Sequence, residues 1–357
     1  MRNSPAPGFV YIDLILTRLA RESCGIIELL KRLATIFLLA GSAQWGWLPS
    51  KSIHRGLEFQ RGVNLTAEGR NGYSAEVARA MLKKLRGYGV NSIALVPYAF
   101  SPPDRPVVRF GMGWERNDRI EAVAGVAHDL GFKILLKPQL WTHSAYPGGL
   151  DFQNAGDRDE WFRQYGAYIE DQAGLANRIR ADVLSVGVEL SKLTRYEAPW
   201  RKLIARVRQI YSGPLTYGAS QGPEFEGIRF WDALDYIGLN EYYPLPDSLS
   251  AAAIAAKVEG VSRRYRRRVL LTEIGFSSYQ SPQREPWDET PRSLALEEQA
   301  RCYEAIFEAF YNKPWLGGIY WWKVGTNGYG GPQDGSHTPW GKPAMEVVKK
   351  WYTGGRR

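Results

Sequence analysis

Short apolar runs alternate with longer amphipathic stretches from residue 60 almost to the end of the sequence. Each run is continuous and rich in β-branched or other apolar residues, as expected of a strand that is buried on both faces. The eight runs are 62–65, 92–96, 133–136, 183–188, 215–218, 236–239, 269–272 and 318–321. The pattern therefore predicts eight short buried strands.

The stretches between these runs have the spacing of helices. After the first run, Ser74 is a good N-cap, and Val77, Met81 and Leu85 form one apolar stripe. Similar patterns occupy residues 157–178, 197–211, 248–266 and 293–311. The sequence thus alternates strands with helices.

Strands that alternate with helices form a parallel sheet with right-handed crossovers, and eight such units predict a closed (β/α)8 barrel. A doubly wound open sheet is the alternative, but no G-x-G-x-x-G motif follows the first run. No low-complexity linker interrupts residues 60–352. We predict a signal-like or anchoring segment over 1–45, one α/β barrel domain over 55–352 and a tail over 353–357.

The N-terminal segment resembles a secretory signal. Lys31 and Arg32 precede an apolar run over 33–40, which small residues at 41–43 follow. This run is too short for a stable membrane span, which needs about 20 apolar residues. We expect export to the periplasm or the medium. Because the pattern starts late, alternatives remain. The segment is then an anchor or a helix that caps the barrel, or translation starts downstream of Met1, or the protein is cytoplasmic.

Charge and composition favour no nucleic-acid partner and no cofactor. The formal charge is +9, but the densest basic run, five arginines between 263 and 268, lies at a predicted helix end, where cations complement the helix dipole. Cys24 and Cys302 are the only cysteines, and His143 and His337 have no spacing that suggests a metal site. There is no nucleotide-binding loop. The 13 Trp and 20 Tyr residues suit stacking on sugar rings.

Two glutamates follow apolar strands at the points where a barrel places its reacting groups. Glu189 ends the fourth run and Glu273 the seventh. Two carboxyl groups on one barrel mouth supply what glycoside cleavage with retention needs, namely a proton donor and a nucleophile. The ionised member of such a pair keeps the other protonated by like-charge repulsion.

This pair resembles that of the clan A retaining glycoside hydrolases, and the chain is most similar to family 113, the β-mannanases. The similar segments are 62–64, 135–138, 187–190, 235–244, 271–276 and 317–322. The resemblance covers about residues 60–345 and implies a (β/α)8 barrel with Glu189 as acid/base and Glu273 as nucleophile.

The resemblance also implies roles for residues at other strand ends. Tyr242 would hydrogen-bond the nucleophile, and Trp321 would form the floor of the sugar site at the scissile bond, with Trp322 beside it. The other expected substrate contacts are Asn64, Lys137, Asn240, Trp141 and His143. One position departs from the clan: Val188 stands where an asparagine commonly contacts the 2-hydroxyl of the sugar.

The sequence therefore predicts a retaining β-glycoside hydrolase that acts on manno- or gluco-type oligo- or polysaccharides. A transglycosylase with the same site and a non-catalytic glycan-binding barrel of the cell envelope are the alternatives. A lyase or aldolase is less favoured, because the neighbours of Lys137 do not suggest a Schiff-base lysine. The exact sugar, endo or exo action and oligomeric state stay open.

Overall fold

In a computed structural model, the protein is described over residues 58–69, 72–143 and 145–354. The strands are β1 Gln60–Thr66, β2 Ser92–Leu95, β3 Tyr98–Phe100, β4 Lys133–Leu136, β5 Gln139–Trp141, β6 Val183–Val188, β7 Leu215–Ser220, β8 Tyr236–Glu241, β9 Arg268–Ile274 and β10 Leu316–Gly325. The α-helices are α1 Ala75–Gly87, α2 Asn117–Asp129, α3 Ala155–Arg178, α4 Glu197–Ile210, α5 Pro223–Gly227, α6 Ala252–Tyr265, α7 Leu296–Phe310 and α8 Pro343–Gly354.

Eight of the strands close into a parallel barrel in the order β1, β2, β4, β6, β7, β8, β9, β10. The barrel closes where β1 pairs with β10, for example at Val63 and Trp321, while the other edge of β1 pairs with β2. This closure confirms the predicted (β/α)8 fold and excludes the open-sheet alternative. All eight predicted runs fall on barrel strands.

The strands are apolar because both of their faces are covered. A compact cluster of six side chains fills the barrel interior: Ala94, Leu135, Val183, Tyr236, Leu270 and Tyr320. A much larger cluster packs between the strands and the surrounding helices. Strands approach closely at Gly238, where a Cβ would lie 2.3 Å from the carbonyl oxygen of Tyr217. Glycine is therefore needed there.

The helices follow the sequence pattern with small shifts at their ends. Ser74 caps α1 by accepting a hydrogen bond from the Val77 N–H, and Met81 and Leu85 are buried, as predicted. The prediction omitted α2, the short α5 and α8. Because α8 runs to Gly354, the predicted tail over 353–357 begins inside a helix rather than after it.

A second, two-stranded parallel sheet, here called the rim extension, lies beyond the carboxyl ends of β2 and β4, and the sequence analysis did not predict it. It pairs β3, which follows β2, with β5, which follows β4. Tyr98 pairs with Gln139 and Phe100 with Trp141. Each strand is only three residues long, so neither produces a recognisable alternation in the sequence.

The predicted N-terminal segment over 1–45, including Cys24, lies outside the described residues. Within 58–69, 72–143 and 145–354, no helix has the length and apolar character needed to cross a membrane. Cys302 is buried, and it forms no disulfide within the described part of the chain.

Candidate active site

The carboxyl ends of the barrel strands surround a cleft of about 700 Å³. Glu189, directly after β6, and Glu273, in β9, both line it. The structure thus brings the two predicted catalytic residues to one cavity, as a barrel does with residues from separate strands.

Glu273 is surrounded by hydrogen-bond donors. Lys137 Nζ and Gln139 Nε2 each lie 2.5 Å from its Oε1, and the Tyr242 hydroxyl donates to Oε2 over 3.3 Å. The Lys137 side chain is fully buried and that of Glu273 is 8% exposed. These three donors, one of them a buried ammonium, suit a negatively charged partner.

Burial lowers the pKa of Lys137, whereas the charge of Glu273 and a hydrogen bond to it act in the opposite direction. The Lys137 ammonium also lies 4.9 Å from the centre of the Trp322 ring. Lys137 therefore contacts the nucleophile candidate directly, rather than lying free as a Schiff-base lysine would.

Glu189 has the opposite environment. Burial and, after it, the negative charge of Glu273 raise its pKa to about 8, while the nearby Asn240 amide and Lys137 act to lower it. A carboxyl group with this pKa carries a proton at neutral pH. One member of the pair can therefore donate a proton while the other is a carboxylate.

Two of the predicted asparagines differ in their access to this site. Asn240 is fully buried, accepts a hydrogen bond from the Thr272 hydroxyl over 2.8 Å and interacts with Glu189. Asn64 is also fully buried, and its Nδ2 donates to the carbonyl oxygens of Thr272 and Tyr320. Neither lines the cleft surface, so Asn64 has a structural position between strands and Asn240 a position behind the acid/base candidate.

The prediction for the tandem tryptophans requires a correction. Trp321 is fully buried and stacks on Tyr303 with ring centroids 3.8 Å apart, so it packs under the helices and not on the sugar side. Trp322 lines the cleft instead. Successive strand residues face opposite sides of a sheet, and this alternation sends Trp322 toward the substrate space.

Trp141 and His143 lie on the rim extension rather than in the wall of the main cleft. Trp141 is 51% exposed, and its ring contacts those of His143 and Phe100 at centroid distances of 4.5 and 5.4 Å. On β5 the buried Leu140 separates Gln139 from Trp141, so these two side chains share one face. That face leads from the nucleophile candidate to the exposed aromatic group.

Several cleft residues were absent from the predicted site. They are Gln139, Tyr146, Ser191, Ser220, Gln221, Trp287, Glu289 and His337. Most lie in loops whose path cannot be read from the sequence. His337 was noted only for lacking a metal-site spacing.

His337 joins two of the loops that border the cleft. Its Nδ1 lies 2.6 Å from Glu289 Oε1 and its Nε2 2.6 Å from the Pro286 carbonyl oxygen. The hydrogen bond from His337 lowers the pKa of Glu289 to about 2. Trp287, 51% exposed, stands between these two anchor points and forms one wall of the cleft.

Among the described residues, no group of three His, Cys, Asp or Glu side chains has the arrangement of a metal site.

A closed parallel barrel whose strand ends present two glutamates, one hydrogen-bonded by a buried lysine and one with a raised pKa, has the arrangement of a glycoside hydrolase of the carboxylate-pair class. Glycoside Hydrolase Family 113 matches residues 65–338 of the chain. The protein belongs to this family.

Solved structures support the assignment. The GH113 β-mannanase AaManA from Alicyclobacillus acidocaldarius, in complex with ManMIm, is 30% identical with a TM-score of 0.78, covering 84% of this chain and 99% of that one. A GH113 β-1,4-mannanase is 26% identical with a TM-score of 0.75, covering 83% and 99%. A β-D-glucuronidase from Dictyoglomus thermophilum, 13% identical with a TM-score of 0.59 over 83% of this chain and 50% of that one, shares the fold. A search of curated proteins finds no match.

Proposed function

We propose that the protein is a retaining β-glycosidase that cleaves β-linked, mannan-type oligo- or polysaccharides by double displacement. The observation that carries this proposal is the contrast within one cleft between Glu189, whose pKa is raised to about 8, and Glu273, which accepts three hydrogen bonds. These are the states that an acid/base and a nucleophile need at the start of the reaction.

In the first step, Glu189 protonates the glycosidic oxygen while Glu273 attacks the anomeric carbon, so the leaving sugar departs and a glycosyl–enzyme ester forms. Lys137 and Gln139 both occupy Oε1 of Glu273, whereas Oε2 has only the longer bond from Tyr242. Oε2 is therefore the oxygen with a lone pair free to attack. In the second step, ionised Glu189 takes a proton from water, which hydrolyses the ester.

The mannan preference rests on the structural relatives, two of which are described as β-mannanases. The position of Val188 fits a site that binds the sugar 2-hydroxyl differently from most of the clan. Val188 is almost fully buried, and its apolar side chain offers that hydroxyl no hydrogen bond. Gln139 and Gln221 bring amide groups to the cleft and can hydrogen-bond sugar hydroxyls.

The aromatic borders of the cleft support a chain-like substrate. Tyr146, Trp287 and Trp322 line it, and the first two are about half exposed. Trp141 continues the exposed aromatic surface along the rim extension, on the same face as Gln139. Aromatic rings stack well on the C–H faces of pyranoses, so several sugar units can bind in a row.

The test compares wild-type protein with Glu189→Gln and Glu273→Gln on β-1,4-linked manno- and gluco-oligosaccharides, with products identified by mass and by anomeric NMR. We expect a β-anomeric first product and a loss of turnover of roughly 10²–10⁴-fold in the Glu189 variant. A fluorinated β-mannoside with a good leaving group should label Glu273. Glu308→Gln, on the exposed side of α7, is the control.

An α-anomeric first product, or near wild-type hydrolysis by either active-site variant, would contradict the proposal. Products longer than the substrate would identify transglycosylation by the same site. Binding of the fluorinated sugar without cleavage or labelling would favour the non-catalytic alternative.

A further inference from the structure

Glu189 occupies an unusual backbone conformation. Its φ is +52°, in the left-handed region that residues other than glycine rarely adopt. Such a conformation persists only when neighbouring groups hold it, and it aims the side chain differently from an extended strand residue. The contacts around the turn at Glu189 therefore determine where the proton donor points.

Backbone hydrogen bonds on both sides of the turn hold it in place. The Glu189 N–H donates to the Gly218 carbonyl oxygen over 2.8 Å. The next N–H, that of Leu190, donates to the Tyr217 hydroxyl over 2.8 Å. The Tyr217 hydroxyl in turn donates to Glu224 Oε1 over 2.6 Å. A side chain from α5 thus reaches the turn through one tyrosine.

The other oxygen of Glu224 ties down the two segments next to the turn. Oε2 accepts a hydrogen bond from the Ser220 N–H over 2.7 Å and another from the Ser191 hydroxyl over 3.0 Å. Ser191 lies two residues after Glu189, and Ser220 ends β7. Glu224 is 6% exposed, so these contacts are made away from bulk water.

We propose that Glu224, acting through Tyr217, is a positioning residue that fixes the left-handed turn at Glu189 and so orients the proton donor. The proposal rests on the acid/base role proposed above for Glu189. Nothing in the reaction as derived so far uses Glu224, which does not touch the reacting atoms.

A carboxylate suits this position better than its amide isostere. Tyr217, Ser220 and Ser191 all donate to Glu224, and an ionised carboxyl group accepts on both oxygens. In Glu224→Gln, one of the two accepting oxygens becomes an NH₂ group that faces a donor. The substitution therefore removes the hydrogen bonds to one of the two oxygens with almost no change in the shape of the side chain.

The charge of Glu224 supports the same role, since it raises the pKa of Glu189 together with burial and Glu273. Lys137 and Asn240 oppose this, and the Tyr146 and Tyr242 hydroxyls face the same carboxyl group. Tyr146 also faces Glu224. With these neighbours unchanged, removing the charge of Glu224 should favour ionisation of Glu189.

The test uses Glu224→Gln, with Glu226→Gln as the matched control from the same helix. Glu226 is exposed and pairs with Lys257 over 3.0 Å. A mannoside with a poor alkyl or sugar leaving group needs the proton donor. A dinitrophenyl mannoside does not, because dinitrophenolate departs as a stable anion. We expect Glu224→Gln to lower kcat/KM on the order of 10²-fold for the poor leaving group and little for the dinitrophenyl substrate. Glu226→Gln should match wild type on both.

Tyr217→Phe tests the same link if Glu224→Gln folds poorly, as judged by thermal melting. It keeps the aromatic ring against Trp200 and removes the hydroxyl between Leu190 and Glu224. The same dependence on leaving group is expected. Equal losses on both substrates, or no loss on either, would overturn the positioning role.

An infrared titration separates this inference from the proposed function. The carboxyl band of Glu189, assigned by its loss in Glu189→Gln, should ionise at lower pH in Glu224→Gln than in wild type. An identical titration overturns the inference whatever the enzyme cleaves. If wild type cleaves no glycoside while the titration still shifts, the proposed function fails and the positioning of Glu189 by Glu224 stands.

Discussion

At the scale of residues, Glu189 and Glu273 differ in what surrounds them and not in their chemistry. Glu273 has an ammonium, an amide and a phenol within hydrogen-bonding distance. Glu189 is buried near the charge of Glu273, with weaker compensation from Asn240 and Lys137. The proposed division of roles between two identical side chains follows from this asymmetry.

The alkaline limb of activity should belong to Glu189. Its pKa of about 8 means that the free enzyme loses its proton donor above that pH. We therefore expect kcat/KM for mannooligosaccharides to fall with a midpoint near pH 8. The dinitrophenyl substrate, which needs no proton donor, should lack this limb. A fall with a midpoint below pH 6, or the same limb for both substrates, would contradict the assignment.

The residues that the sequence identified are those where charge breaks an apolar pattern. Glu189 and Glu273 lie at the ends of apolar strands that otherwise have no use for a carboxyl group. Tyr242 follows the end of another such strand, β8. Trp321 and Trp322 could not be distinguished, because the side that each one faces depends on the register of β10, which is irregular where it pairs with β1. Glu224, in the short helix α5, carries no such signal.

At the scale of elements, the eight strands were predictable because each is apolar on both faces. Helix α2 was missed; it follows the long loop after β3. Strands β3 and β5 are too short to show a period. They matter nonetheless, because β5 carries Gln139 to Glu273 and Trp141 to the rim.

The pair β3–β5 should extend substrate binding beyond the bond that is cleaved. Trp141→Ala removes an exposed ring and leaves Gln139 in place, so we expect KM for mannohexaose to rise about tenfold, which corresponds to ~1.4 kcal/mol of lost binding. The dinitrophenyl monosaccharide should react as with wild type. Ile210→Ala, an exposed apolar residue at the C-terminal end of α4, is the control.

Equal effects of Trp141→Ala on the long and the short substrate would show that the ring supports the catalytic site instead. An unchanged KM for mannohexaose would mean that the sugar chain binds elsewhere along the cleft and does not contact Trp141.

At the scale of the whole molecule, the sequence predicted barrel closure from the number of strand–helix units, and the pairing of β1 with β10 confirms it. What the count could not supply is the path of the loops at the catalytic end. The contact of His337 with Glu289 joins residues 48 positions apart through two irregular segments. No periodicity encodes such a contact, so the walls of the cleft were the least predictable part.

The fold also buries carboxyl groups in a way that makes the stability of the whole barrel depend on pH. Burial raises the pKa of Glu241 to about 8, although its ordinary value is 4.5. Its Oε1 accepts a hydrogen bond from the Tyr243 N–H, and its Oε2 has no hydrogen-bond partner among the described residues. Glu189 has a similar value. Between pH 4.5 and 8 the unfolded chain releases these protons, whereas the native protein keeps them.

Stability from these groups is therefore complete below about pH 4.5 and is lost as the pH rises toward 8. Glu289, with its pKa lowered to about 2, acts in the opposite sense and loses its contribution as the pH falls below 4.5. The barrel should be most stable where these two windows meet, near pH 4.5, on the acidic side of neutrality.

Glu241→Gln tests this directly, because a neutral amide imitates the protonated carboxyl group at every pH. The variant should match wild type near pH 4.5 and exceed it at pH 7.5 by roughly 3 kcal/mol in the free energy of unfolding, measured by urea denaturation across this range. Glu308→Gln should keep the wild-type slope. If Glu241→Gln also kept that slope, the native protein would ionise Glu241 as readily as the unfolded chain does, and the pH dependence would have to come from the catalytic cleft alone.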